Sequence, residues 1–268
     1  MNDRVSILHL GEGESRQAWK EALAGRPWDR GTLIKRDGRR AVHRAGVNGL
    51  KVSLKSRPLE RSRFRFRLTE YARATRAARL IGKHEDVATP PVLFHGAVDD
   101  LEILVHPWIE GPTLLDRMCA SDSEERGAWL RHGASRVTMM LFRGIVNRDM
   151  KPSNIVVPSG DETSMTMIDV GGVRRFELLR GDRWPRWAAR MLTALVFEPR
   201  GVGLHIPDEQ VLSCVPVMVE CGFSGFVDAR RRGQRRRLLA STNQEVQRLL
   251  GSHGDAKPKI NPLEPPRP

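Results

Sequence analysis

The segment Val146–Val157, VNRDMKPSNIVV, places three polar side chains directly before a run of β-branched residues. Asp149 is followed by Lys151 two positions later and by Asn154 five positions later. A second aspartate, Asp169, ends the apolar stretch MTMID and precedes two glycines. Phosphoryl transfer uses one carboxylate to orient a hydroxyl and take its proton, a cation to balance charge, and oxygen ligands for Mg²⁺. The order of these four residues is that of such a set.

The two motifs NRDMKPSN and DVG resemble the catalytic loop H-R-D-x-x-x-x-N and the magnesium motif D-F-G of the protein-kinase-like superfamily. The resemblance implies an α+β, bilobal protein-kinase-like fold, with a small antiparallel-sheet N-lobe that carries one helix and a mainly helical C-lobe. It implies ATP and Mg²⁺ as cofactors. It also implies that Asp149 and Lys151 are catalytic, and that Asn154 and Asp169 hold the metal.

The upstream half has the pattern expected of such an N-lobe. Three strand-like segments, GTLIKRD, RRAVHRAG and GLKVSLK, are separated by Asp37-Gly38 and Asn48-Gly49, which are strong two-residue hairpin signals. Apolar residues at helical spacing then predict one basic amphipathic helix from about Ser62 to Ile81. Two more strands follow, with a turn at Asp99–Asp100 between them.

The domain boundaries are predicted from these elements and from the helical segments downstream. The first thirty residues suggest a short helix that ends at Gly25, and the proline-rich end shows no hydrophobic periodicity. The expected divisions are an N-terminal extension over 1–30, an N-lobe over 31–106, a hinge over 107–111, a C-lobe over 112–250 and a disordered tail over 251–268.

A kinase-like N-lobe needs a strand lysine for the nucleotide phosphates and a helix glutamate that pairs with it. Lys51 and Lys55 lie four positions apart and therefore share a strand face. We favour Lys51, because it is expected in the middle of its strand while Lys55 approaches Pro58. Glu70 is the only acidic residue of the predicted helix and is the candidate partner of Lys51, although an exposed pair with Arg73 is an alternative.

A looser resemblance, from about Thr32 to Phe176, is to bacterial lipopolysaccharide kinases of the Kdo/WaaP family. It implies that the acceptor is a core sugar of lipopolysaccharide or a related glycolipid. The lysine two residues after Asp149 is closer to Ser/Thr protein kinases, which leaves a protein acceptor open. A pseudokinase is a further alternative, since there is no G-x-G-x-x-G ahead of Lys51, no A-P-E after DVGG, and an asparagine, Asn147, in place of the usual histidine.

The composition agrees with an anionic partner, although the coding bias of a GC-rich genome is an equal explanation, since only 8 of the 45 basic residues are lysine. The 268 residues carry a formal net charge of +13, which suits a nucleotide, an anionic glycolipid or a peripheral contact with the inner membrane face. Nucleic acid is an unlikely partner, because no aromatic-interleaved basic motif is present. No apolar stretch is long enough to span a bilayer, and the first residues do not resemble a secretion signal, so a cytoplasmic location is expected.

Overall fold

The computed structural model describes residues 5–84, 87–161, 164–176, 183–223 and 229–253. The chain forms two compact units, Met1–Glu110 and Gly111–Pro268. The division after Glu110 falls in the segment 107–111, for which the role of a hinge stays a prediction.

Unit 1 combines one sheet with three helices and a short 3₁₀ turn at Pro27–Asp29. Its elements in chain order are β1 (Val5–Leu10), α1 (Arg16–Ala24), β2 (Thr32–Asp37), β3 (Arg40–Val47), β4 (Leu50–Pro58), α2 (Arg61–Arg65), α3 (Glu70–Ile81), β5 (Phe94–Val98) and β6 (Leu101–Pro107).

Unit 2 is mainly helical, with two small two-stranded sheets and a 3₁₀ turn at Pro152–Asn154. Its elements are α4 (Leu114–Ala120), α5 (Ser123–Phe142), β7 (Ile145–Asn147), β8 (Ile155–Val156), β9 (Thr166–Met167), β10 (Val173–Arg175), α6 (Arg183–Gly201), α7 (Asp208–Leu212), α8 (Cys214–Phe223) and α9 (Ala229–His253). The predicted α+β class, with strands concentrated in the first half, is confirmed.

The six strands of unit 1 have the order β1-β5-β6-β4-β3-β2, and each neighbouring pair is antiparallel. Both predicted hairpin turns form, between Asp37 and Arg40 and between Val47 and Leu50. At the second turn Asn48 and Gly49 both have positive φ, 50° and 77°, as the hairpin turns that match strand twist require.

The first thirty residues, predicted as an extension, contribute a strand to this sheet and a helix that packs on it. The helix ending before Gly25 is present, but β1 was not foreseen, and it pairs with β5 at the edge of the sheet. Behind it, Trp19 and Leu23 of α1 are fully buried against the sheet residues Val52, Leu54 and Phe94. The N-terminal segment therefore covers one face of the sheet and forms part of the core of unit 1.

The prediction of one continuous helix from Ser62 to Ile81 is wrong, because the structure has two helices there, α2 and α3. Thr69 is the N-cap residue of α3, and its side chain accepts a hydrogen bond from the Ala72 N–H. The Thr69 hydroxyl also donates to the buried carboxylate of Glu102 on β6. Capping and this contact with the sheet break the helix, and neither is visible in the spacing of apolar residues.

Buried polar groups attach α3 to the opposite face of the sheet. His95 Nε2 lies 2.9 Å from a Glu102 carboxylate oxygen, and His95 Nδ1 lies 3.1 Å from the Thr75 hydroxyl of α3. Arg57 of β4, which is 10% exposed, forms ion pairs with Glu102 and with Glu70 at the start of α3. Helix α3 is thus held by charged groups as well as by its buried alanines.

The core of unit 2 is formed by the long helices α5 and α6, whose buried side chains include Leu130, Val137, Leu192 and Leu195. The last helix continues to His253, three residues beyond the predicted end of the C-lobe. The rest of the predicted tail, 254–268, lies outside the described residues. Among the helices that the structure describes, none combines the length and apolarity needed to cross a membrane.

Candidate active site

The loop that contains Asp149 follows β7 and leads through the 3₁₀ turn at Pro152–Asn154 into β8. Asp169 follows β9, which pairs with β8. The N–H of Ile168 donates to the Asn154 carbonyl at 2.9 Å, so the residue that precedes Asp169 is bonded to Asn154. Unit 2 therefore brings the two quoted motifs together, as the sequence predicts.

The Asp149 carboxylate is oriented by two neighbours from its own loop. Lys151 Nζ lies 2.8 Å from Asp149 Oδ1. The Asn154 amide nitrogen donates to Asp149 Oδ2 and to the Asp149 carbonyl, both at 3.1 Å. The side chains of Asp149 and Lys151 are nevertheless 42% and 49% exposed. The arrangement is a carboxylate that is fixed in direction but accessible to a substrate.

Asn147, at the position of the histidine in the motif H-R-D-x-x-x-x-N, supports both motifs. Its side-chain oxygen accepts the backbone N–H of Asp149 at 3.0 Å. Its amide nitrogen donates to the backbone carbonyl of Asp169 at 3.4 Å. The residue is 2% exposed. An asparagine can bind both groups because its amide is donor and acceptor at once.

The two glycines after Asp169 leave room for this support. The Gly171 N–H donates to Asp169 Oδ1 at 3.2 Å. A Cβ added at Gly172 would lie 2.9 Å from the Asn147 side-chain oxygen and 3.3 Å from the Asp149 nitrogen. Any larger residue at position 172 would therefore press on the base of the Asp149 loop.

Glu198 of α6 is a contact of this loop that the motifs did not reveal. Its carboxylate accepts the Ser153 backbone N–H at 2.9 Å and the Ser153 hydroxyl at 2.6 Å. Ser153 lies between Lys151 and Asn154, so the contact fixes the segment from which both side chains project. The sequence gives only a weak indication of this role, namely that Glu198 is the only acidic residue in the 19 residues of α6.

The charges around Lys151 favour its ammonium form. The hydrogen bond that Lys151 donates to the Asp149 carboxylate raises the pKa of Lys151 above its ordinary value, although burial opposes the shift. The carboxylates of Asp149, Glu198 and Asp169 act in the same direction through their charge. Lys151 therefore carries its positive charge in the folded protein, next to the Asp149 carboxylate.

Asn154 and Asp169 carry oxygen donors of the kind that Mg²⁺ prefers. In the part of the chain that the structure describes, no three His, Cys, Asp or Glu side chains gather as a metal cluster. Magnesium is commonly held by one or two protein oxygens, with phosphate and water completing its shell. The Asn154 amide oxygen and the Asp169 carboxylate could supply oxygens of this kind.

The position of Lys51 in unit 1 differs from the prediction. β4 runs without interruption from Leu50 to Pro58, so Lys51 is its second residue while Lys55 is in its interior. The Lys51 side chain is 76% exposed, and its nitrogen lies 3.2 Å from Glu110. The reason for preferring Lys51 is therefore wrong, because the strand continues to the proline and does not end before it.

Glu70 has partners other than Lys51. Its carboxylate lies 2.9 Å from Arg40 and 3.6 Å from Arg57. Glu70 begins α3, whereas Lys51 pairs with Glu110 near the end of unit 1. The expected Lys51–Glu70 pair is absent from the ion pairs of the described residues. The alternative partner Arg73 instead donates to the Leu68 carbonyl.

The lysines do share one strand face with Arg57. The pairing of β4 with β3 and with β6 is regular, so side chains alternate strictly along it. Arg57 contacts Glu70 of α3, which identifies the face that α3 covers. Lys51 and Lys55 lie on this same face, while Val52 and Leu54 face the core beneath α1.

Comparisons with known proteins bear on the fold alone. No protein-family model matches the chain, and no curated protein matches its sequence. A solved structure described as WaaP in complex with acyl carrier protein has a similar fold, with a TM-score of 0.55 and 18% sequence identity, covering 90% of this chain and 98% of that chain. The chain has the protein-kinase-like fold that its catalytic-loop motifs predict.

Proposed function

We propose that this protein is an ATP-dependent phosphotransferase that moves the γ-phosphoryl group of ATP to a hydroxyl group. The observation that supports this most strongly is the fixed, accessible Asp149 carboxylate between Lys151 and Asn154. Fold similarity is compatible with this function but does not establish it, so the argument for phosphoryl transfer comes from these side chains.

Four residues of unit 2 have separate roles in the proposed reaction. Asp149 orients the acceptor hydroxyl and accepts its proton as the new oxygen–phosphorus bond forms and the bond to the β-phosphate oxygen breaks. Lys151 balances the charge on the transferred group. Asn154 and Asp169 would hold Mg²⁺, which supplies neutralising charge at the phosphates when bound.

Unit 1 would supply the lysine for the α- and β-phosphates. Lys51 and Lys55 both lie on the strand face that α3 covers, and Lys51 was favoured from the sequence. The interior position of Lys55 in β4 now makes it the better candidate. Val52–Lys55, V-S-L-K, also follows the hydrophobic-small-hydrophobic-lysine order of the kinase strand motif V-A-I-K.

The proposed acceptor is a sugar of the lipopolysaccharide core or a related glycolipid, phosphorylated in the cytoplasm at the inner membrane face. Two observations support it: the resemblance of residues 32–176 to the Kdo/WaaP family, and the formal net charge of +13. A protein acceptor is the alternative that the lysine two residues after Asp149 favours.

A pseudokinase is the second candidate, and the β2–β3 hairpin favours it. Its turn has only two residues, Gly38 and Arg39, between the paired residues Asp37 and Arg40. Such a turn lacks the length and the glycines of the loop that covers the phosphates in protein kinases. Nucleotide or partner binding without transfer would then be the activity.

The deciding experiment incubates the full chain with γ-labelled ATP, Mg²⁺ and separate lipid, sugar and protein extracts. The wild type should label one class of acceptor, and Asp149→Asn should reduce labelling on the order of 10²- to 10⁴-fold while still binding ATP. Asp100→Asn, at the exposed β5–β6 turn, is the matched control and should retain full labelling. A wild type that binds ATP but labels nothing and releases no phosphate would support the pseudokinase instead.

A further inference from the structure

The corner between α2 and α3 presents two apolar side chains to solvent. Phe66 is 69% exposed and Leu68 is 57% exposed, which are the highest values among the large hydrophobic residues that the structure describes. They lie on either side of Arg67, whose φ of 54° turns the chain between the helices. Most large apolar side chains of this unit are buried, and these two are the most exposed of the rest, so the corner is the strongest candidate in this unit for an apolar contact.

The corner is held in place by arginines of α3. The guanidinium of Arg73 donates to the Leu68 carbonyl at 3.1 Å, and that of Arg76 donates to the Arg67 carbonyl at 2.9 Å. The Leu68 N–H donates to the Arg63 carbonyl at 2.8 Å. These bonds fix the turn with Phe66 and Leu68 outward and place further positive charge beneath them.

We define the corner surface by six residues: Arg63, Arg65, Phe66, Arg67, Leu68 and Arg73. The sequence from Arg61 to Thr69 contains no acidic residue. Of the two flanking acids, Glu70 pairs with Arg40 and Arg57, which lie outside this surface. Glu60 pairs with Arg57 and with Arg63, so it offsets the charge of only one arginine of the surface. The surface therefore combines positive charge with a small apolar tip.

We propose that the corner surface binds an anionic lipid bilayer. Phe66 and Leu68 would enter the boundary between head groups and acyl chains, and the arginines would bind lipid phosphates. This proposal rests on the proposed function only in assuming that the protein works at the inner membrane face, and it says which surface makes the contact. Binding itself needs no phosphoryl transfer.

A bilayer fits this surface better than a macromolecular partner. Stable protein interfaces bury on the order of 1,000 Å² or more, which two protruding side chains do not provide. A nucleic acid would use the arginines, but it would leave Leu68 without a stacking or apolar partner. A fluid bilayer needs no shape complementarity and accepts both kinds of side chain.

The test is co-sedimentation of the full chain with phosphatidylcholine vesicles that contain or lack phosphatidylglycerol. The wild type should bind the anionic vesicles only. Phe66→Ser with Leu68→Ser should weaken binding at least tenfold, and Arg65→Gln should weaken it about fivefold, as expected for one arginine near an anionic surface. Thermal melts should remain unchanged because these side chains are exposed.

The matched control lies on strand β2. Leu33 and Ile34 are 46% and 47% exposed, and Arg36 is also exposed. Replacing them by Ser, Ser and Gln should leave vesicle binding unchanged. Equal binding by the wild type and the corner variants would overturn the proposal, and so would a wild type that ignores vesicles but binds a DNA duplex through the corner arginines.

Phosphoryl transfer is measured separately, with a soluble acceptor and no vesicles. The corner variants should retain the wild-type rate, since they lie outside the candidate active site. If the wild type binds vesicles but transfers nothing, the membrane surface stands and the proposed catalytic function fails. If transfer occurs and vesicle binding does not, the proposed catalytic function stands and the proposed membrane surface fails.

Discussion

Glu198 of α6 accepts two hydrogen bonds from Ser153, from its backbone N–H at 2.9 Å and from its hydroxyl at 2.6 Å. The loop that contains Asp149 is thereby attached to a core helix of unit 2, between the two residues, Lys151 and Asn154, that orient Asp149. Glu198 touches no reacting atom in the proposed mechanism, so it is a positioning residue.

Replacing Glu198 by Ala should slow turnover because the loop loses its attachment to α6. We expect kcat to fall on the order of 10²-fold, as for a displacement of about 1 Å at a reacting centre, with little change in the KM for ATP. Ser153→Ala retains the backbone bond and should have a smaller effect, with a loss of about 1 kcal/mol of unfolding free energy. Glu209→Ala, at an exposed acid of α7, is the control. Equal kcat in Glu198→Ala and the wild type would refute the positioning role.

Asn147→Ala should slow phosphoryl transfer without abolishing it. The substitution removes the acceptor of the Asp149 N–H and the donor to the Asp169 carbonyl, but leaves the reacting carboxylate in place. A decrease in kcat of about 10- to 100-fold is expected, together with a lower melting temperature. Single-turnover rates of Asn147→Ala and Asp149→Asn should be compared side by side. If both variants are equally inactive, Asn147 does more than support the loop.

The two lysines of β4 can be separated by substitution with Met. Lys55→Met should lower kcat/KM for ATP on the order of 10²-fold, as expected for loss of a charge that stabilises phosphate. Lys51→Met should have a small effect, because that side chain is 76% exposed and pairs with Glu110. Steady-state kinetics at varied ATP concentration decides between them. The opposite ranking would restore Lys51 as the nucleotide lysine.

The stability that Lys151 contributes should depend on pH in the alkaline range. Its pKa in the folded protein is raised above the ordinary 10.5, chiefly by the hydrogen bond with Asp149. The contribution is therefore fully present below pH 10.5 and is lost as the pH rises through the folded-state pKa. The difference in unfolding free energy between the wild type and Lys151→Met should be constant from neutral pH up to that range and shrink above it. In an Asp149→Asn background this pH dependence should be weaker, and its persistence there would contradict the assigned cause.

Local chemistry decides much of this fold and can be recognised without coordinates. The Asn48-Gly49 hairpin forms because both turn positions need positive φ, a requirement set by two adjacent residues. The order of Asp149, Lys151, Asn154 and Asp169 likewise predicts one site, since a short hairpin is enough to bring the two motifs together. In each case the residues that interact are near one another in the chain.

Contacts between distant segments account for the remaining features. Thr69 breaks the predicted helix because it meets Glu102 of β6, and Glu70 pairs with Arg57 of β4. The same limit applies to Glu198, which reaches Ser153 from 45 residues away. Spacing and propensity carry no information on such partners, whereas tertiary packing brings them within hydrogen-bond distance. The motifs thus identify the chemical groups of the candidate site, and the packing of α6 decides that Glu198 holds their loop in position.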